Sequence, residues 1–291
     1  MSPSHLIVDT DIGTDVDDAI ALVQIIGSQI KYDVSLTTVY GNVRKRAQIA
    51  SNYSKLSKFR MDVYAGESKT LSGKEIWTSG LEGTLHENLD SCTFQTDSGV
   101  QHIRDLAENL GYPLTVLAIA PLTNIATSFE QTSDSFPYLE QIYFMGGRFG
   151  EGKVEHNVAS DVVAAKRVLE SDLRIDVVGI EITSQLRVTT NILRALNEIG
   201  PVGELLFNEI QQWSDFWGRD WIVPHDSVAV LMKSNPEIFE FSKFGSIRVL
   251  DDGKTEFFEN EFGSKRIVLK MDIDRAQSLI IDSIQGVKFR L

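Results

Sequence analysis

Asp9, Asp11, Asp15, Asp17 and Asp18 fall within ten residues near the start of the chain, and like charges packed that densely repel unless something cationic neutralises them. Carboxylates are hard oxygen donors suited to Ca²⁺ or Mg²⁺, and no Cys or His cluster competes with them here. Helix-end chemistry offers a plainer account. Asp15 would be an N-cap, with Asp17 and Asp18 complementing the dipole of the following helix. That covers three acids. It leaves Asp9 and Asp11 at the end of an apolar strand, where an unpaired charge costs several kcal/mol.

The flanking residues set these acids on a strand-to-helix turn. Leu6-Ile7-Val8 reads as a short buried strand, and Ala19 to Ile26 reads as a buried helix ending at Gly27. Strand and helix patterns then alternate. Val34 to Tyr40 is a β-branched strand closed by Gly41-Asn42. A helix follows over about Arg44 to Phe59, then a short strand at Asp62 to Gly66. Residues 67–98 form a long polar loop, of the kind that is functional or mobile in a compact domain. A helix is expected around Gln101 to Leu110, a strand over Leu114 to Ile119, and a helix opening near Pro121. Ile142 to Met145 is a strand running into Gly146-Gly147 and a glycine-bearing loop as far as Asn157. Then come a helix at Asp161 to Glu170 and a strand at Ile175 to Ile180. Thr189 to Gly218 and His225 to Lys233 read as helical. Ser246 to Leu250 and Arg266 to Met271 read as strands flanking an Asp252-Gly253 turn, and Ile273 to Gln285 as a closing helix.

This order predicts an α/β fold: one domain over residues 1–291 with a doubly wound, mainly parallel, Rossmann-like sheet. Asp9 and Asp11, Gly41-Asn42, Pro121 to Asn124 and Gly146-Gly147 all follow carboxyl ends of predicted strands, so they should share one rim. Val223-Pro224-His225-Asp226-Ser227 adds an imidazole beside a carboxylate at a helix start.

Composition narrows the function classes. With 291 residues and 42% hydrophobic content, the chain can bury a full core. A net charge of −13 disfavours nucleic acid as a partner but not a phosphate-free nucleoside. Cys92 is the only cysteine, which rules out an internal disulfide or a cysteine-based metal site. Residues Met1 to His5 lack a basic start, and no apolar run reaches membrane-spanning length, so a cytoplasmic protein with no membrane partner is expected.

Taken together, Asp9-Thr10-Asp11-x-Gly with Asp17-Asp18-Ala19, Val39-Tyr40-Gly41-Asn42, Ala120 to Ala126, Met145-Gly146-Gly147, Glu155-His156-Asn157 with Asp161, and His225-Asp226 resemble, in that order, the motifs of the inosine-uridine preferring nucleoside hydrolase family. The resemblance runs over nearly the whole chain. It implies hydrolysis of a ribonucleoside N-glycosidic bond to free base and ribose, a bound Ca²⁺, and a homodimer or homotetramer. By position it implies that Asp11, Asp18, the Thr123 carbonyl and Asp226 hold the metal, with Asp11 also the base toward the attacking water. It implies that Asp17, Asn42, Glu155 and Asn157 bind ribose hydroxyls, that Met145 lines the sugar pocket, and that His225 stands beside the leaving base as its proton or hydrogen-bond donor.

The chain departs from the family pattern at Thr14-Asp15-Val16, where one residue is usual. Two extra residues turn a helical side chain by more than half a revolution, so Asp15 could take the place of Asp17 or Asp18. Ser79-Gly80-Leu81-Glu82-Gly83 resembles a substrate-loop motif of the family, but Ile76 stands where a histidine often precedes it. Asn42 also fits a plain turn residue, and His156 a structural or surface one. Trp213, Phe216, Trp217 and Trp221 fit a core or interface, although their place before His225 makes base stacking testable. Two other readings carry different expectations. A haloacid-dehalogenase-like phosphatase would use Asp9 as nucleophile, but its later Lys and acidic pair cannot be placed. A non-catalytic nucleoside-binding protein on the same fold would bind without turnover.

Overall fold

β-branched and aliphatic runs become buried strands here because helices cover both faces of the sheet, so neither face needs polar side chains. The computed structural model describes residues 4–28, 33–129 and 136–289; of the leading segment Met1 to His5, the first three lie outside the described residues. Strands β1 (His5–Thr10), β2 (Asp33–Thr38), β3 (Asp62–Ala65), β4 (Gln95–Ser98), β5 (Leu114–Ala118), β6 (Leu139–Met145) and β7 (Ile175–Val178) alternate with helices α1 (Asp17–Gly27), α2 (Val43–Ser57), α3 (Gly99–Asn109), α4 (Thr123–Ser128), α5 (His156–Ser160) and α6 (Val162–Leu169). The second half adds α7 (Ile180–Thr183), β8 (Val188–Thr189), α8 (Thr190–Leu193), α9 (Pro201–Trp217), β9 (Trp221–Ile222) and α10 (His225–Ser234). It ends with β10 (Phe239–Phe241), β11 (Gly245–Val249), β12 (Thr255–Glu259), β13 (Lys265–Met271) and α11 (Ile273–Gln285).

Among the described residues the central sheet has the order β12-β11-β13-β7-β6-β5-β1-β2-β3-β4, with β10 on β13; β8 and β9 form a separate pair. From β13 to β4 the neighbours are parallel. β11 and β12 continue the sheet antiparallel. β1 lies between β2 and β5, with Asp9 opposite Thr37 on one side and Ala118 on the other. From β1 the chain winds outward through β2 to β4, and from β5 it winds the other way through β6 and β7. The crevice beyond the carboxyl ends of β1 and β5 is therefore the topological switch point, where sheets of this type bind ligands.

Helix α1 is buried along its whole length. It packs between the sheet and helices α9, α10 and α11, in a core that includes Ile20, Val23, Ile210, Val228 and Ile280. Helices α3, α4 and α6 cover the other face with Ile103, Ile125 and Val168. No helix among the described residues is long and apolar enough to cross a membrane.

Three expectations change in detail. The Asp252-Gly253 turn closes a hairpin onto β12, a strand absent from the sequence reading, whose exposed Glu256 and Glu259 mask it at the sheet edge. Residues 67–98 contain β4, an edge strand of four exposed residues with no apolar alternation. The helical stretch expected from Thr189 to Gly218 is broken at Gly200, whose φ of 92° stops the preceding turn before Pro201 opens α9.

Candidate active site

A cavity of about 200 Å³ opens at the switch point, and Asp11, Asp15, Asp17, Asp18 and Asp226 all line it. Asp11 follows β1. Asp17 and Asp18 form the first turn of α1, and Asp226 the first turn of α10, which lies against α1. Carboxylate oxygens of Asp17, Asp18 and Asp226 come within 4.8 Å of one another. None of these five aspartates has an ion pair within salt-bridge distance among the described residues. Burial, then mutual repulsion, pushes the carboxyls of Asp17, Asp18 and Asp226 well above the usual range. Burial raises Asp11 as well, against the pull of Arg46 and His156. The donor set fits a hard cation, and several protein carboxylates at one point suit Ca²⁺ better than Mg²⁺, which keeps most of its waters.

Asp15, expected as an N-cap or as a stand-in for Asp17 or Asp18, is neither the N-cap residue of α1 nor a member of the three-carboxylate cluster. Val16 is the N-cap of α1 and makes no side-chain cap bond, while the Asp15 carboxylate accepts from the Val16 and Asp17 amides. It lines the cavity outside the three-carboxylate cluster, and burial raises it to about 7. Asp9 takes no part in the cavity wall. Its Oδ1 accepts from Thr37 Oγ1 at 2.6 Å and Asn124 Nδ2 at 2.7 Å, fastening β1 to β2 and α4. Its Oδ2 is buried without a partner among the described residues, and burial lifts the group to about 7.

Arg46, absent from the sequence reading, holds the acid turn in place. Only 2% of it is exposed. Its Nε donates to the Tyr40 carbonyl at 2.7 Å, Nη1 to the carbonyls of Asp11 and Ile12, and Nη2 to Thr14 Oγ1 at 2.9 Å. One planar fork thus ties the ends of β1 and β2, where Tyr40 sits at φ 69°. In sequence, Val43-Arg44-Lys45-Arg46 looks like a solvated basic run. The only signal was that Arg46 lies one turn after Asn42, on the inward face of α2.

The cavity wall beyond the acids comes from Met145, Glu155, His156 and Asn157. Glu155 caps α5: its carboxylate accepts from the amides of Gly147, Asn157 and Val158. Asn157 Nδ2 donates to the Met145 carbonyl at 3.0 Å, which fixes its amide. His156, read from sequence as structural or surface, lines the cavity and meets Trp77 and Tyr40 edge-on. Thr123 and Asn42 stand outside the lining. The Thr123 carbonyl accepts from Thr127 Oγ1 at 2.8 Å, and its hydroxyl donates to Asp161. Asn42 is exposed and caps α2 through the Lys45 amide, the local role that its turn position allowed.

Aromatic side chains line the same cavity. Trp213 and Trp217, four residues apart on α9 and hence on one face, line the cavity with Trp77 from the long loop. Phe216 stacks on Trp213 at 5.5 Å, outside the lining. The same loop is tied to the acid turn: Ser79 Oγ donates to the Thr14 carbonyl, and Thr14 Oγ1 to Glu82 Oε1. His225, the neighbour of Asp226 in the chain, also lines the cavity, its Nδ1 2.7 Å from Thr183 Oγ1. Burial, with Arg219 adding to it, drives the imidazole down to about 4.

Comparison with known proteins identifies the family and the fold. The profile of the inosine-uridine preferring nucleoside hydrolases matches residues 6–278. The non-specific ribonucleoside hydrolase RihC of Escherichia coli O127:H6 is 27% identical over 257 residues, covering 80% of each chain. In fold, the chain is similar to a purine-preferring ribonucleoside hydrolase from Gardnerella vaginalis (TM-score 0.86, 20% identity, 98% and 99% of the two chains). It is also similar to the plant nucleoside hydrolase PpNRh1 (TM-score 0.83, 23% identity, 98% and 99%). With the profile spanning nearly all of its length, the chain belongs to the inosine-uridine preferring nucleoside hydrolase family, hydrolases of the N-glycosyl bond.

Proposed function

We propose that the protein is a Ca²⁺-dependent ribonucleoside hydrolase, one catalytic domain that cleaves the N-glycosidic bond to give free base and ribose. The observation that carries this reading is one cavity lined by both sets of groups: five aspartates without an ion pair among the described residues, three of them with carboxylate oxygens within 4.8 Å of one another, and an imidazole with three indoles. Asp18 and Asp226 would hold the cation together with Asp17, whose carboxylate completes their cluster, and Asp11, which lines the same cavity outside that cluster, would reach it as a fourth acid. The family resemblance adds the Thr123 carbonyl, but this carbonyl already accepts from Thr127 Oγ1 and stands outside the cavity lining, so it is left out of this assignment. When bound, the cation supplies Lewis-acid chemistry, lowering the pKa of a water and fixing its position.

Asp11 accepts the proton of the attacking water. Asp17, Glu155 and Asn157 hold the ribose hydroxyls, and Met145 packs against the sugar. Loss of the base builds positive charge on the ribosyl ring, and the concentrated carboxylates stabilise it. His225 donates a hydrogen bond to the departing base, which lies against Trp213 and Trp217. Asn42, exposed and engaged as a helix cap, is left out of this assignment. The reading extends to a homodimer or homotetramer in the cytoplasm, in keeping with the family resemblance and the single buried thiol of Cys92.

The phosphatase alternative is not favoured, because the chain-wide match is to nucleoside hydrolases. Incubation with a panel of purine and pyrimidine nucleosides, with free ribose as the readout, tests the proposal. Ribose release that stops on chelation and returns with calcium is the expected result. Binding without ribose release would leave a non-catalytic nucleoside-binding protein in its place.

A further inference from the structure

Thr183 is the last residue of α7, fully buried, and nothing in its sequence context marks it as functional. Among the described residues its Oγ1 has two hydrogen-bond partners: His225 Nδ1 at 2.7 Å and the Ile180 carbonyl at 3.4 Å. A hydroxyl has one proton to give, and a neutral imidazole carries one N–H, so the two groups can be arranged in two ways. In the first, Thr183 donates to Nδ1 and the ring proton sits on Nε2. In the second, Nδ1–H donates to Thr183, whose own proton must then go to Ile180, leaving Nε2 a bare lone pair.

The distances separate these arrangements. An O–H donor to nitrogen at 2.7 Å is well formed, whereas 3.4 Å to a carbonyl lies beyond the ordinary range for O–H···O. In the second arrangement the buried hydroxyl proton would be left nearly unpartnered, a desolvation cost of about 1–3 kcal/mol. The first spends that proton in the short bond. Nε2 has no partner among the described residues and is left to the cavity that His225 lines. The hydrogen bond at one ring nitrogen decides what the other can do.

We propose that Thr183 is a positioning residue that fixes His225 as the Nε2–H tautomer, presenting a ready hydrogen-bond donor to the leaving base. This rests on the reading of His225 as the base-side donor. The opposite tautomer would present a lone pair to the base and repel its acceptor nitrogens. Thr183 thereby separates a base-assisting His225 from one of identical position but the wrong polarity.

The test uses the full chain labelled with ¹⁵N-histidine, as wild type, Thr183→Val and Thr183→Ser, with His225→Ala to assign the resonances. Valine keeps the shape and removes the hydroxyl; serine restores it. Long-range ¹H–¹⁵N correlation of the substrate-free protein should show Nε2–H in wild type and Thr183→Ser, and a mixture of tautomers in Thr183→Val. With natural nucleosides, Thr183→Val should lose roughly ten- to a hundred-fold in kcat, the range for removing a partner that orients a working histidine, with KM little changed. A p-nitrophenyl riboside, whose anion needs no donor, should be turned over nearly as by wild type. An Nδ1–H tautomer in wild type overturns the proposal whatever the kinetics. So does a Thr183→Val protein with the wild-type spectrum. If His225→Ala leaves nucleoside turnover intact, the base-side reading fails instead, and the spectrum still judges Thr183.

Discussion

At the amino end of β1, His5 and His102 share one serine, each Nε2 lying 2.8 Å from Ser35 Oγ, and His102 stacks on Tyr64 at 3.8 Å. At the carboxyl end of the same strand, Asp11 enters a cavity with five other acids. Burial disfavours charge at both ends: it lowers the two histidines, His102 to about 4, and raises the carboxyls. The outcomes differ because the groups differ. Two neutral imidazoles can be satisfied by one hydroxyl that donates to one ring and accepts from the other. Ionised carboxylates only accept, so no arrangement among themselves satisfies them. The amino end is complete within the chain, while the carboxyl end needs protons or a cation from outside.

That contrast breaks most sharply if the acid end works without its cation. Chelation should abolish ribose release, and calcium should restore it. Asp11→Asn should cost roughly 10²–10⁴-fold in kcat, the usual worth of a positioned base. Wild-type turnover by either the chelated protein or Asp11→Asn would mean that the acids are structural.

Arg46 should carry the next largest effect, on stability rather than chemistry. Arg46→Met leaves three carbonyls at the ends of β1 and β2 without their donor, and should cost about 3 kcal/mol or more in denaturant unfolding. Arg46→Lys should recover only part of this, because an ammonium cannot span the fork. Full recovery by lysine would show that charge, not geometry, holds the turn.

What the sequence made legible follows from how local each signal is. Leu6-Ile7-Val8 and Val34 to Thr38 announce buried parallel strands by composition alone, and five acids on a turn announce a cation site by their density. Spacing could not separate Asp9 from Asp11. Their division of labour depends on Thr37 and Asn124, which reach Asp9 from other elements. Arg46, Thr183 and Trp77 each act through a partner 30 or more residues away, which no local pattern reveals. Asn42 misled for the opposite reason: a residue after a glycine turn suits both a helix cap and a ligand contact, and only its exposure decides.

A smaller effect tests the acid end through pH. Each raised carboxyl binds its proton more tightly in the folded state, so its contribution to metal-free stability is full below the ordinary 3.8. That contribution is lost as pH rises, through about 7 for Asp15. Calcium needs the ionised forms and should cancel this loss. The calcium-induced rise in Tm should therefore grow from about pH 5 to pH 8. A rise independent of pH would detach the metal from these carboxyls.

The smallest effect belongs to the amino end and has the opposite sign. A histidine whose pKa is lowered on folding gains protons more readily when unfolded, so His5 and His102 withdraw stability as pH falls from 6.5 toward about 4 for His102. Asp33 and Asp62 nearby pull the other way and keep the effect modest. His102→Gln can still hydrogen-bond Ser35 but cannot titrate. It should change stability at pH 7.5 by no more than about 1 kcal/mol and flatten the acid limb of the Tm profile, with or without calcium. An acid limb as steep as that of wild type would mean that His102 does not hold its proton off on folding. The contrast between the two ends of β1 would then reduce to the acids alone.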